Sequence, residues 1–162
     1  MAEDDFSALV QTTSPRLYRL ALRLTGSPSD AEDVLQEAYL RAYLALSEGR
    51  FEGRASLATW LYRSTVNAAL DALRRRRRRL ALSNWYRPAT SQPAEHTEAR
   101  ALLADAAALL AALPPEQAGA LVLTQVEGLT NAEAAELLGC TEGAVEQRLI
   151  RARATLRRRA EP

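Results

Sequence analysis

Trp60, Asn67, Arg74 and Arg78 follow one another at intervals of seven, seven and four residues. That spacing lays an indole, an amide and two guanidiniums along one side of a helix. Arg63 and Arg75 flank the row and Ser64 falls within it, with Phe51 in the loop ahead of the helix. Unpaired bases stack on aromatic rings and guanidinium planes, an asparagine amide pairs with a base edge, and arginines hold phosphate. The combination therefore suits a strand of nucleic acid. A second reading stays open at this point: Trp60 lies close to the helix start, where Phe51 can cover it and leave it simply packed.

A similar inventory recurs near the carboxyl terminus. Glu142, Glu146, Gln147, Ile150 and Arg151 share the outer side of a helix, with Arg148 on a flank. Gln and Arg donate to purine edges in the major groove, and Glu accepts from the cytosine amino group. A third surface carries Asp30, Asp33, Gln36, Glu37 and Arg41 at helical spacing. Alone, it reads as an ordinary solvated face.

Charge order supports two polyanion contacts. All 21 cations are arginine, yet the net charge is only +1. From Arg54 to Arg79 there are eight arginines and one acid, Asp71, and from Glu146 to Arg159 there are six and one. Glu95 to Glu142 reverses the balance, with eight acids and Arg100 alone. Two basic blocks separated by an acidic stretch fit two contacts with nucleic acid and a face that meets something else. Solvated helix faces are the bland alternative.

Other chemistries find no support. His96 has no second ligand at metal spacing, Cys140 is the single cysteine, and there is no Gly-rich phosphate loop, nucleophile elbow or pair of catalytic carboxylates. The expectation is no metal, no cofactor and no enzymatic activity. One cysteine, no run of about 20 apolar residues and an acidic start, MAEDDF, together read as a cytoplasmic chain.

The elements that must position these residues are all helices. Alanine and leucine dominate, β-branched runs are absent and aromatics make up 6%. A first helix spans Phe6 to Thr25, with Pro15 a place for irregularity. A second is expected from a Ser29–Glu32 capping box to Gly49. The third starts after a Ser56 cap and runs from Leu57 into six consecutive arginines. Its core stripe is expected to be Tyr62, Val66, Ala69, Leu73 and Leu80, with Arg76 and Arg77 turned towards the core side. Residues 83–97 hold two prolines and no helical period, and read as a flexible linker. Helical patterning then resumes at Glu98, breaks at Pro114–Pro115 and ends at Gly128. Thr130 and Glu133 form a capping box, Gly139 turns the chain and Thr141 caps a last helix whose core stripe is Val145, Leu149, Ala152 and Leu156. Short helix, tight turn and longer helix make a helix-turn-helix.

Three stretches, "SDAEDVLQEAYLRAY", "FEGRASLATWLYRSTVNAALDALRRRRRR" and "LPPEQAGALVLTQVEGLTNAEAAELLGCTEGAVEQRLIRARATLRR", are similar in type and order to bacterial sigma factors of the extracytoplasmic-function (ECF) class. The resemblance implies an all-α chain of two small helical domains: 1–82 as sigma region 2 and 98–162 as sigma region 4, joined by the linker 83–97. It implies that Asp30, Asp33, Gln36 and Glu37 dock on core RNA polymerase. Phe51, Trp60, Arg63, Ser64, Asn67, Arg74, Arg75 and Arg78 would melt and read the minus-ten promoter element. Glu142, Glu146, Gln147, Arg148, Ile150 and Arg151 would read the minus-thirty-five element. Glu146 departs from the family, which usually places a basic residue there. The resemblance further implies promoter DNA and an anti-sigma factor as partners. Two rivals remain beside it: a stand-alone helix-turn-helix regulator, and a polymerase-binding adaptor without initiation activity.

Overall fold

A computed structural model of the chain describes residues 3–82 and 98–160, and the expected linker, 83–97, lies outside the described residues. The described elements are α1 (Glu3–Thr25), α2 (Pro28–Ser47), α3 (Leu57–Leu82), α4 (Glu98–Ala111), α5 (Pro115–Leu121), a π-helical turn (Val122–Val126), α6 (Asn131–Leu138) and α7 (Glu142–Ala160). The all-helical expectation holds. No described helix is long and apolar enough to cross a membrane.

Local chemistry explains most of the helix boundaries. Pro15 sits inside α1 without ending it. Thr12, Thr13 and Ser14 donate their hydroxyls to the carbonyls of Ala8, Leu9 and Val10 around it. The start of α2 differs from the expected Ser29–Glu32 box: Ser27 is the cap, its hydroxyl accepting from the Asp30 N–H at 3.3 Å, and Pro28 fills the first turn. Proline has no N–H to leave unsatisfied and its φ is already helical, so the helix begins on it and the cap moves two residues upstream. Ser56 caps α3, accepting from Thr59 N–H at 3.1 Å. Pro114 and Pro115 open α5, and Thr130 with Glu133 forms the expected capping box before α6. Thr130 backbone N–H and hydroxyl hold the Glu133 carboxyl below its ordinary range. Gly139 takes φ +61, the left-handed geometry that a glycine adopts without strain, and Thr141 accepts from Ala144 N–H at the start of α7.

α1, α2 and α3 pack mutually, as do α5, α6 and α7. The two groups are joined by one continuous core. Leu20, Leu24, Val34, Val66 and Leu70 from the first half lie in the same buried cluster as Val122, Leu123, Ala134, Val145 and Leu149 from the second. Gly119 makes that approach possible: a Cβ placed there would lie 2.9 Å from Leu70 Cδ2 and 3.4 Å from Leu138 Cδ2. Two smaller clusters surround Leu17, Ala42 and Leu61, and Leu113, Ala118 and Ala152. Leu123 is 0% exposed in the shared cluster. Leu123→Ala is therefore expected to destabilise the chain by roughly 2–5 kcal/mol, read as a lower denaturant midpoint.

Candidate nucleic-acid interface

Arg63 and Asn67 are exposed on α3, as their spacing requires. Ser64 is not: it is only 8% exposed, and Thr65 beside it is fully buried. The helix is covered from two directions, by α1 and α2 and by α5 and α6. Its buried sector accordingly includes Leu61, Ser64, Thr65, Ala68 and Leu70, far more than one stripe. A projection of α3 alone has no means of registering the second cover. Leu80, expected at the end of the core stripe, is 50% exposed and lines a groove with Leu73, Leu110 and Leu113. Trp60 is half-buried and packs on the cluster around Leu17, Ala42 and Leu61, so its indole is shared between core and surface. Phe51 is likewise half-buried in the loop before α3.

The arginine run divides by partner. Arg74 Nη1 donates to Asp71 at 2.7 Å and its Nε donates across to Glu116 of α5 at 2.9 Å. Arg75 lies 3.8 Å from Glu37 of α2. Arg76 donates to the Thr25 carbonyl at 3.4 Å, in keeping with its expected turn towards the core side. Arg75, Arg78 and Arg79 line an open groove of about 420 Å³ together with Asp30 and Asp33. The arginines expected to hold phosphate and the acids expected to dock a protein are thus neighbours across one groove.

On α7, Glu142, Glu146, Gln147, Ile150 and Arg151 all face solvent, with Ile150 57% exposed. Val145, Leu149 and Ala152 are buried beneath them. Arg148 departs from the outer group: it is half-buried and its Nη1 donates back to Cys140 Sγ at 3.2 Å. Its position on the inner flank of the helix brings it over the turn instead of away from the domain.

The α2 face is richer than its charges implied. Asp33 and Gln36 are exposed, Asp30 and Glu37 half-buried, and Glu37 accepts from Arg41. Leu40 (58%), Tyr43 (47%) and Leu44 (39%) are exposed on the same helix. Sequence pattern passed over them because their i, i+3, i+4 spacing is also that of a core stripe. Only the burial of Ala38, Ala42 and Ala45 on the opposite side decides which stripe is which. Exposed leucines and a tyrosine thus stand beside the acids on one helix face.

A second polar cluster joins the halves. The π turn ends with Glu127 N–H bonded to the Val122 carbonyl. It directs the Glu127 carboxylate to Arg23 Nη1 at 2.5 Å and to the Tyr62 hydroxyl at 3.4 Å. Arg16 stacks over the Tyr62 ring at 5.2 Å. Burial first, then the Glu127 charge, push the Tyr62 phenol from 10.0 up to about 12. It therefore stays a donor. A raised phenol contributes stability below pH 10.0 that is lost as pH climbs towards 12. Burial pushes the Glu116 carboxyl up, but its own backbone N–H and the Arg74 guanidinium outweigh this and hold it below the ordinary range. Arg148 acts in the same direction.

Residues 9–79 match the family model for Sigma-70 region 2, and residues 103–156 that for Sigma-70, region 4. The ECF RNA polymerase sigma factor SigE of Mycolicibacterium smegmatis is 38% identical over 164 residues, spanning 96% of this chain and 62% of that protein. SigM of Mycobacterium tuberculosis is 36% identical over 155 residues, spanning 94% of this chain and 76% of that protein. This chain thus spans less than two thirds of the length of the first of these relatives. Among solved structures, CnrH in complex with the cytosolic domain of CnrY superposes with a TM-score of 0.68 at 28% identity, covering 99% of this chain and 92% of that one. RpoE in complex with the anti-sigma factor NepR, from Bartonella quintana, gives 0.65 at 25% identity, covering 95% of both chains.

Proposed function

The chain belongs to the ECF class of RNA polymerase sigma factors, and from that premise we propose that it directs core RNA polymerase to specific promoters and initiates transcription. The observation that carries the reading is the outer face of α7. A capped helix-turn-helix presents Glu146, Gln147, Ile150 and Arg151 to solvent, on a chain whose other half offers Arg63 and Asn67 beside a half-buried Trp60. α7 would read the minus-thirty-five element in the major groove, with Glu142 near its start. The first half, residues 1–82, would capture the minus-ten strand: Phe51 and Trp60 supply rings for bases to stack on, Asn67 the base-edge contact, and Arg63, Arg74, Arg75 and Arg78 the phosphate contacts. Its work is binding and strand separation, with no bond of its own to make or break. The α2 face, Asp30, Asp33, Gln36 and Glu37 with Leu40, Tyr43 and Leu44, would dock on polymerase. An anti-sigma factor is the further partner, by analogy with the complexes of related proteins, and the chain would act in the cytoplasm.

Run-off transcription with core enzyme on fragmented genomic DNA tests the reading. Start sites sharing two elements at fixed upstream spacings are expected. Tight sequence-specific binding by the chain without core enzyme would instead favour a stand-alone regulator. Core binding with no run-off product from any fragment would favour an adaptor. At residue level, Asn67→Ala is expected to lower promoter opening about tenfold, as loss of one base contact implies. Its polymerase affinity should stay within about twofold of wild type, since surface changes away from a contact have small effects. Permanganate reactivity of unpaired thymines reports the first quantity and holoenzyme titration the second. Equal losses in both would remove Asn67 from the base-capture role.

A further inference from the structure

We infer that Arg148 is a positioning residue: it ties the second turn of α7 to the turn of the helix-turn-helix, and so holds Glu146, Gln147, Ile150 and Arg151 in register with the bases they would read. This rests on the promoter reading above. The family resemblance counts Arg148 among the readers themselves, but its contacts give it different work. Its Nη1 donates to Cys140 Sγ at 3.2 Å, eight residues back, and both side chains are half-buried. Cys140 is itself fixed: its N–H is bonded to the Ala135 carbonyl of α6 at 3.0 Å, one residue after the left-handed Gly139. The charge of Arg148 also reaches Glu116 of α5, whose carboxyl it helps to hold low.

Val145, Leu149 and Ala152 are buried and set how closely α7 approaches α5 and α6. Apolar contact is non-directional, however, and leaves the rotation and tilt of a helix soft. At the helix start Thr141 supplies one directional bond, accepting from Ala144 N–H at 3.2 Å. The Arg148–Cys140 bond supplies another, one turn beyond Ala144. Glu146 and Gln147 precede Arg148, and Ile150 and Arg151 follow it, so a slip at this point moves all four. A set of recognition groups has to be held within about 0.5 Å and 10–20° to work. A thiol is a weak acceptor and a phosphate would hold a guanidinium more strongly, so the salt dependence of DNA binding separates this role from a phosphate contact.

Holoenzyme formed with Arg148→Met tests the assignment. Methionine keeps an unbranched stem and a good helix propensity while removing the guanidinium. Affinity is titrated over a salt series on a promoter mapped by run-off transcription, and on copies of it with one base pair of the minus-thirty-five element changed. Each changed pair should cost the wild type roughly 5- to 150-fold. Arg148→Met should shrink that discrimination about fivefold, the worth of one hydrogen bond, at several positions of the element together and with the salt slope unchanged. Cys140→Ala, which removes the acceptor, should do the same, and Cys140→Ser, which restores one, should discriminate as the wild type does. A slope lowered by about one with discrimination intact would make Arg148 a phosphate contact. Discrimination lost at a single position would make it a base reader, and a lowered denaturant midpoint with discrimination and slope intact would make it merely structural. Each of these would overturn the proposal, as would a Cys140→Ala variant that discriminates like the wild type. A wild type indifferent to every changed pair would instead overturn the promoter reading, and the proposal with it.

Discussion

Leu40→Asp is expected to weaken association with core RNA polymerase about thirtyfold, the loss of roughly 2 kcal/mol that marks an apolar anchor at a protein interface. The folded chain should be nearly unaffected, with stability within about 0.5 kcal/mol of wild type, because the side chain is 58% exposed and leaves no cavity. Asp33 and Gln36 on the same face are also exposed, but a charge at an interface rim chiefly alters association rate and salt dependence. Asp33→Ala should therefore change affinity only a few-fold, and less in high salt. Leu40, Tyr43 and Leu44 instead form a contiguous apolar strip, with Tyr43 held edge-on against Phe6 at 5.8 Å between ring centroids. Such a strip gains most from being dried by a partner. Titration of labelled chain with core enzyme measures both variants. Unchanged affinity for Leu40→Asp would place the docking surface elsewhere.

What the sequence disclosed followed from local rules, and what it hid depended on non-local packing. Thr130–Glu133, Gly139 and Thr141 define the helix-turn-helix from chemistry within a few residues, and the structure reproduces each of them. The same kind of rule went astray at Ser29 only because a better local signal, Ser27–Pro28, stood two residues earlier. The buried sector of α3 was illegible for a different reason. Ser64 faces away from the Val66 side of its helix, yet is buried because other helices cover α3 there, and no periodicity within α3 encodes that. Arg74 follows the same logic. Its position in a charge run predicts solvent and phosphate, while its second carboxylate partner comes from a residue 42 positions later. The acid-rich middle of the sequence hinted that some face met something basic. That the basic surface belongs to the same chain emerges only from the fold.

Glu146→Arg is expected to exchange the preference at one base pair of the minus-thirty-five element, and to do so by a large factor. Glu146 is exposed on the outer face of α7, beside Gln147 and one turn before Ile150. From that position a carboxylate accepts from the cytosine amino group and repels guanine, whose major-groove edge carries only acceptors. An arginine there reverses both relations, donating to guanine O6 and N7. A good pair of this kind discriminates by about 1–3 kcal/mol, or roughly 5- to 150-fold between the two bases. The replacement also removes a negative charge and adds a positive one close to the phosphate backbone. Overall affinity should rise for every sequence, most at low salt. The two effects separate cleanly, because phosphate attraction lifts all templates alike whereas the base contact reorders them. Start-site mapping on fragmented genomic DNA with wild-type and variant holoenzyme should therefore yield different promoter sets, with cytosine replaced by guanine at a single position of the shared upstream element. If the promoter sets coincide and only yields change, Glu146 acts through its charge on the backbone and reads no base.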